Sequence, residues 1–517
     1  MKCKRYLFLL SVIVASCHSK EKEKHIDVAE ASHPNIIYIL ADDLGYGDIS
    51  IYNPGSKINT PNIDAFANQG IRFTDAHAAS SVCTPSRYSI LTGEYCWRSR
   101  LPQSVLSGYG RALIEPGTPT VASLLQNHDY ATAIIGKWHL GLDWVVKPGH
   151  EKALIVPEND PSGARMIKDM NPDDIDFTKP PTDGPLKHGF QYSYILPASL
   201  DMAPYCYLEN DTLTQPLTAS TKGSELNPKS SPNYATGAFW RTGPMSPGFD
   251  FTNVLPHFTG KAVDYIKSHA QATKPYFLYF AMPAPHTPWL PSKEFAGKSK
   301  AGAYGDYVME ADAMVKRILD AVEQSGDADN TIVIFTSDNG PYWRPQFVKE
   351  YNHHAAYVYR GMKADAWDGG HRVPFMVRWP GHIKAGTVSN ITTTLANLMS
   401  TCSALMGGDS LSKKAPDSYS VLPVLLGKPD SLLCQQVIMS ESSQGLFAVR
   451  KGEWKLIAGR GSGGFSEPVN YTPKPGEPKG QLYNIREDSS EANNLYLQYP
   501  QRVQELSLLM DSIKKLK

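Results

Sequence analysis

Four short apolar runs limit what this chain can fold into: NIIYIL (35–40), ATAIIG (131–136), YFLYFAM (276–282) and TIVIFTS (331–337). From about Pro34 to Gly407 such runs alternate with helical patterns, the arrangement of a mostly parallel sheet covered by helices. Helices are predicted from the segment opening at Thr118-Pro119 and over ADAMVKRILDAVEQSG (311–326), which a glycine ends. The pattern changes after MGGDSLSKKAPD (406–417). GLFAVRKGEWKLIAGR (445–460) and GQLYNIRE (480–487) read as antiparallel strands, and PQRVQELSLLMDSIKKLK (500–517) as an amphipathic helix.

The fold class is therefore α/β: a large, mostly parallel sheet sandwiched by helices, with a smaller C-terminal α+β subdomain built on an antiparallel sheet. The expected boundaries are 34–410 for the large domain and 411–517 for the subdomain. Irregular Pro- and Gly-rich insertions at 147–190 and 220–250 are expected to shape a substrate-facing surface. GRGSGG (459–464) superficially resembles a dinucleotide loop. No helix follows it in a βαβ unit, so it is read as a mobile hairpin loop.

Lys plus Arg equals Asp plus Glu at 51 each. No global basic field points to nucleic acid, and anion binding must come from local clusters. The N-terminus, MKCKRYLFLLSVIVASC, has three cations and then an apolar run from Tyr6 to Val14. That run is too short to span a bilayer and reads as a secretion signal. VASC (14–17) resembles the bacterial lipobox, which implies a signal peptide over 1–16, a lipid anchor on Cys17 and a solvated tether over 17–33. The alternative is an ordinary signal peptide cleaved nearby. The expected location is the periplasm or outer membrane of a Gram-negative bacterium, as a lipoprotein. Besides Cys83, the cysteines Cys96, Cys206, Cys402 and Cys434 match no zinc spacing and read as buried small hydrophobes, a Cys96–Cys206 disulfide being left open.

Each of the four runs ends in polar residues, where ligands bind in open α/β sheets. Asp42 and Asp43 follow the first, Asp338 and Asn339 the fourth, Lys137 and His139 the second, and His286 the third. The oxygen donors suit Ca²⁺ or Mg²⁺ rather than zinc. Lys137, His139, His286, Arg87 and Lys363 would repel one another without an anion and acidic metal ligands between them, so the expected substrate is a tetrahedral oxyanion ester, sulfate or phosphate. Cys83 stands where Pro85 can open a helix, a place that favours negative charge, yet a thiolate is a poor ligand for a hard cation.

CTPSRYSILTG (83–93) resembles the signature of the formylglycine-dependent sulfatases, CxPSRxxxLTG, whose cysteine is oxidised after translation. The resemblance extends through ADDLGYGD (41–48), GKWHLG (136–141), PHTPW (285–289), SDNGP (337–341) and RGMKADAWDGGHRVPFMVRWPG (360–381), in the family's order. It implies an alkaline-phosphatase-like fold and formylglycine (3-oxoalanine) at Cys83, made by a formylglycine-generating enzyme. It also implies Asp42, Asp43, Asp338 and Asn339 as ligands of calcium, or magnesium, which residue 83 also contacts. Arg87 matches the residue that holds the formylglycine, and Lys137, His139, His286 and Lys363 match the sulfate-binding and acid–base set. By that resemblance the hydrated aldehyde attacks sulfur, His286 with Lys363 assists the leaving alcohol, and His139 takes the proton that releases sulfate. The chain departs from the family's GKGTTWEGG at MKADAWDGG (362–370), where Lys363 and the Gly369-Gly370 turn survive.

LPASLDMAPYCYLEN (196–210) resembles secreted bacterial sulfatases acting on sugars, which places Ser199 or Asp201 near the sulfate or the metal. His353, His354 and Arg460, with Tyr351, Tyr357 and Trp367, are expected at a sugar-binding surface. The expected activity is exo-acting removal of sulfate from a polysaccharide, glycosaminoglycan or mucin-type glycan. The alternatives are a phosphatase or phosphonate monoester hydrolase of the same superfamily, or a catalytically silent glycan-binding lipoprotein.

Overall fold

The four apolar runs lie side by side in the centre of one sheet. The computed structural model describes residues 33–151, 169–224, 237–408, 415–428 and 436–516. The expected signal peptide, the lipid-bearing Cys17, nearly all of the tether and Cys434 lie outside the described residues. The ten-stranded sheet runs Thr387–Ser389, Ile71–Phe73, Phe375–Arg378, Thr331–Ser337, Asn35–Ala41, Tyr276–Ala281, Ala131–Lys137, Tyr192–Leu196, Leu208–Glu209, Thr212–Leu213. Its five central strands, Thr331–Ser337 through Tyr192–Leu196, are parallel, and antiparallel strands flank them on both sides.

Both faces of the sheet are covered, which is why its strands read as continuous apolar runs. Ile36, Tyr38 and Leu40 pack with Ile90, Leu125 and Leu398, from the helices Cys83–Thr92, Val121–Gln126 and Leu398–Leu405. Ile37, Ile39 and Ala41 face the other way, against Ile63, Phe258 and Val315 of helices Pro61–Asn68, Val254–Ser268 and Gly302–Ser325. The last of these ends at Gly326 in the left-handed conformation, as predicted from the sequence.

Strands Val437–Glu441, Phe447–Lys451, Trp454–Ile457 and Gln481–Asn484 form a separate antiparallel sheet. Met439, Val449, Leu456 and Leu482 on one face pack against Val503, Leu506 and Met510 of helix Pro500–Lys515. Ala448, Ile457 and Tyr483 on the other pack against Ala366 and Trp367. The small sheet thereby rests on the segment that carries Lys363, and His33–Lys517 form one compact unit.

Register brings the strand ends level. Ala41 pairs with Ser337, Leu40 with Ala281, and Ala281 with Gly136. Gly136 is required there: its φ is +118°, and a Cβ would meet the Ala281 carbonyl oxygen at 1.9 Å. Asp42, Asp338, Met282 and Lys137 consequently emerge on one edge.

Cys83, Cys96, Cys206 and Cys402 are all buried and free, so Cys96 and Cys206 form no disulfide. GRGSGG is packed inward rather than standing out as an open hairpin loop. Gly461 to Gly464 are buried, and the Asp365 carboxylate accepts the next two backbone N–H groups, from Phe465 at 2.7 Å and Ser466 at 3.0 Å.

Candidate active site

Cys83 opens helix Cys83–Thr92 directly after the cap residue Val82, and Pro85 occupies the first turn. Its thiol is 2% exposed and lies on the floor of a pocket of about 330 Å³. Burial pushes the thiol up, against the pull of the Lys137 and Lys363 charges. A thiol held protonated is a weak nucleophile.

Around it the strand-end residues converge. Cys83 Sγ, a His286 ring nitrogen and one carboxylate oxygen each of Asp42 and Asp43 lie within 4.8 Å of one another. Lys137 Nζ reaches both Asp42 oxygens, at 2.8 and 2.7 Å. Arg87 donates from Nε to Asp338 Oδ2 at 2.9 Å and from Nη1 to the Lys137 carbonyl at 3.1 Å, and its Nη2 pairs with the same Asp338 oxygen as an ion pair at 2.8 Å. Lys363 Nζ donates to Asp43 Oδ2 at 2.7 Å, and Asn339 Nδ2 to Asp43 Oδ1 at 2.8 Å.

These carboxylates divide by their surroundings. Burial would raise Asp42, but Lys137, His286, Arg87 and Lys363 together hold it well below the usual carboxylate range. Burial pushes Asp338 up to about 6, with Asp42 adding to the rise and Arg87 opposing it. Asn339 Oδ1 is buried without a hydrogen-bond partner. Three buried carboxylates and an orphaned amide oxygen make a hard, oxygen-rich set that fits a calcium-type dication.

The two histidines are set in opposite tautomers. A carbonyl only accepts, so His139 Nε2, 2.8 Å from the Leu106 carbonyl oxygen, carries the hydrogen, and its buried Nδ1 has a free lone pair. Burial, then Lys137 and Arg87, push His139 well below its ordinary value and keep it neutral. His286 Nδ1 donates to the Thr287 carbonyl at 2.7 Å, leaving Nε2 3.5 Å from Ser199 Oγ and 3.6 Å from Asp43 Oδ2. Burial and the Lys363 charge lower His286 also. Asp43 and His139 have φ values of +64° and +56°, and Ala364, beside Lys363, +77°. Non-glycine residues in that region carry strain, and here it aims site side chains inward.

Of the expected site residues, Asp43, Cys83, His139, Ser199, His286 and Lys363 line the pocket, as does Asp201. Arg87 and Lys137 do not line it; they bond the carboxylates from behind, at 1% and 0% exposure.

His353 and His354 are not brought in, which corrects their reading as substrate residues. His353 is buried and donates from Nε2 to Asp48 Oδ1 at 2.7 Å while its Nδ1 accepts the Lys57 N–H, so it fixes a loop. His354 is exposed and outside the pocket lining. Trp367 is no sugar platform: it is buried beneath Arg360, whose Cζ lies 3.6 Å from the ring centroid. Arg460 bonds the Pro478 carbonyl at 3.2 Å, and Tyr351 packs on Trp343.

Sequence reasoning missed the outer wall, made by Phe239 and Arg241 from the 220–250 insertion, Tyr342, Ser443, Gln444 and Phe465. That insertion was expected to face substrate, but no periodicity or motif singles out these positions.

The family model described as Sulfatase matches residues 34–408. An N-acetylgalactosamine-6-O-sulfatase of Bacteroides thetaiotaomicron is 32% identical over 99% of this chain and 99% of its own length. Arylsulfatase A of Homo sapiens is 31% identical over 83% of this chain and 75% of its own. A solved structure described under the metabolism of multiple glycosaminoglycans by Bacteroides thetaiotaomicron is 31% identical, with a TM-score of 0.77, covering 93% of this chain and 100% of that chain.

Proposed function

The chain belongs to the sulfatase family and is a sulfuric ester hydrolase, and from that premise we propose that it removes sulfate from a sulfated carbohydrate, exo-acting on a terminal sugar. The single observation that carries this reading is the convergence of Asp43, Cys83, His139, His286 and Lys363 on the floor of one pocket. A pocket of about 330 Å³ has room for one terminal sugar and suits the end of a chain better than its middle. The end-to-end relative, an N-acetylgalactosamine-6-O-sulfatase, makes a 6-sulfated amino sugar the first substrate to try.

Residue 83 acts in this proposal as formylglycine, and Asp42, Asp43, Asp338 and Asn339 hold calcium. When present, the hydrated aldehyde would supply a hydroxyl oxygen as the acceptor of the sulfuryl group, and the cation would offset the negative charge that develops there. The chain's own residues do the rest. Lys363, with Lys137 behind it, places positive charge beside residue 83 and so favours an anionic ester group. His286, lowered by burial and the Lys363 charge, is drawn toward its charged form by an anion beside it; Nε2 then gives its proton to the leaving alcohol oxygen. His139 Nδ1, held free by the bond from Nε2 to Leu106, accepts a proton on the residue-83 side. Arg87 keeps Asp338 and Asp42 ionised and oriented.

The modifying partner is a formylglycine-generating enzyme, for which the CTPSR segment is the expected label. Export, a lipid on Cys17 and residence in the periplasm or outer membrane of a Gram-negative bacterium belong to the same proposal, supported by the order of cations, apolar run and VASC.

The test is side-by-side kinetics on matched sulfate and phosphate monoesters of the same sugars, reading released anion. Preference for the sulfated sugars, lost in Cys83→Ala, is expected. Faster turnover of the phosphate esters, or full activity in Cys83→Ala, overturns the proposal.

A further inference from the structure

The chemistry proposed above uses the pocket floor and leaves one wall without a role. On that wall stand Asp201 and Arg241. The Arg241 backbone N–H donates to the Asp201 carbonyl at 3.0 Å, and the Arg241 carbonyl accepts from Tyr205 Oη at 2.7 Å. Its guanidinium bonds the Asp201 carboxylate through Nη1, and its Cζ lies 5.3 Å from the Phe239 ring centroid. Backbone, carboxylate and ring thus fix the side chain, yet 49% of it remains exposed. A guanidinium has five N–H donors in a rigid fork, and among the described residues only Nη1 is engaged. Such a fork, ordered before any ligand arrives, binds an oxyanion with little further loss of side-chain freedom.

Asp201 adds an independent observation. It is 5% exposed, and its Oδ1 is buried with no hydrogen-bond partner. That oxygen is 4.0 Å from His286 Nδ1, which already donates to the Thr287 carbonyl. A buried carboxylate oxygen left unpaired is costly unless a ligand donates to it. Sugar hydroxyls are such donors, and Asp201 lies immediately beside the histidine that faces the leaving oxygen.

We infer that Asp201 and Arg241 form the recognition element of the pocket: Asp201 Oδ1 accepts a hydroxyl of the sugar that carries the ester, and Arg241 takes a second oxyanion on the substrate. The second oxyanion is either another sulfate on the same sugar or the carboxylate of an adjoining acidic sugar. The inference rests on the reading of the pocket as a sulfated-glycan site.

Three probes separate the sources: N-acetylgalactosamine 6-sulfate, its 4,6-disulfate, and a disaccharide joining the 6-sulfated sugar to a uronic acid. Wild-type enzyme is expected to prefer one of the doubly charged probes by kcat/KM, and that probe identifies the oxyanion. In Arg241→Gln the preference disappears: kcat/KM for the preferred probe falls about tenfold further than for the monosulfate, through KM, and its salt dependence weakens. Arg241→Lys, which keeps the charge without the fork, is expected to recover part of the preference. A uniform loss on all three probes assigns Arg241 a structural role and overturns the inference, as does a wild-type enzyme that treats the three alike. If wild-type enzyme releases sulfate from none of them, the substrate reading fails and the recognition role with it.

Discussion

His371 Nδ1 lies 3.0 Å from His77 Nδ1, and their outer neighbours dictate which ring donates. Lys455 Nζ, 3.1 Å from His371 Nε2, can only donate, so the His371 hydrogen sits on Nδ1. His77 Nδ1 therefore accepts, and His77 Nε2 donates to Asp75 Oδ1 at 2.9 Å; Arg450 Nη1, 3.1 Å from the same nitrogen, places its hydrogen on Asp75 Oδ1 at 2.8 Å instead. Asp75 also takes Arg372 and Arg450 at 2.7 Å each, while Lys455 bonds Asp368 at 2.7 Å. Arg450 and Lys455 belong to the small sheet, so this buried chain of polar bonds ties it to the large one with both imidazoles neutral.

The first prediction follows from that neutrality. Burial and then the Arg372 charge push His77 down to about 4, against the pull of Asp75. Burial and then Lys455 hold His371 well below its ordinary value. An unfolded histidine binds its proton near pH ~6.5. Below that point the unfolded state holds more protons than the folded one, so stability falls as pH drops, until the folded pKa is reached. His77 alone accounts for about 3 kcal/mol of loss between about pH 6.5 and about 4. Denaturant midpoints measured across this range should fall steeply in the wild type and less steeply in His77→Gln. Equal slopes would show that the imidazoles are not held neutral.

Arg87 carries the second prediction. Its fork holds Asp338 and the Lys137 carbonyl, at 1% exposure. Arg87→Lys keeps the charge and loses the two-pronged geometry, leaving buried acceptors unpaired. The expected cost is about 1–3 kcal/mol in denaturant unfolding, with turnover falling in step as Asp338 loses its orientation. A variant of wild-type stability and turnover would contradict the role given to Arg87.

The third concerns the cation. Calcium added to chelator-treated protein is expected to raise its melting temperature, by an amount equivalent to about 2.7 kcal/mol at a hundredfold excess over Kd. Asp338→Ala and Asn339→Ala should each lose that response together with turnover. Unchanged turnover after chelation, in wild type and variants alike, would remove the metal from the site.

The strands and their reactive ends were readable because a parallel sheet covered on both faces buries its strands from end to end and makes them mostly apolar until the sheet ends. Asn35–Ala41 shows this: seven buried residues, then Asp42 and Asp43. The pocket's outer wall carries no such periodicity. Phe239 and Arg241 come from an irregular insertion, and Phe465 follows a glycine-rich turn whose burial depends on Asp365, a hundred positions away. His353 and Trp367 misled for the opposite reason. Their chemistry suits a sugar site and they lie near Lys363 in sequence, but each satisfies its polar atoms inside the protein, His353 on Asp48 and Trp367 on Gln481.

Residue 83 is the centre of the proposed chemistry. As encoded, its thiol is buried, pushed up in pKa, and 3.5 Å from Asp42 Oδ1 in a setting made for hard oxygen. The direct test is the mass of the peptide spanning residues 80–95 from protein made in its native host. An aldehyde or its hydrate in place of the Cys83 thiol, in active protein, is the predicted result. Fully active protein in which that peptide retains an unmodified cysteine would contradict it.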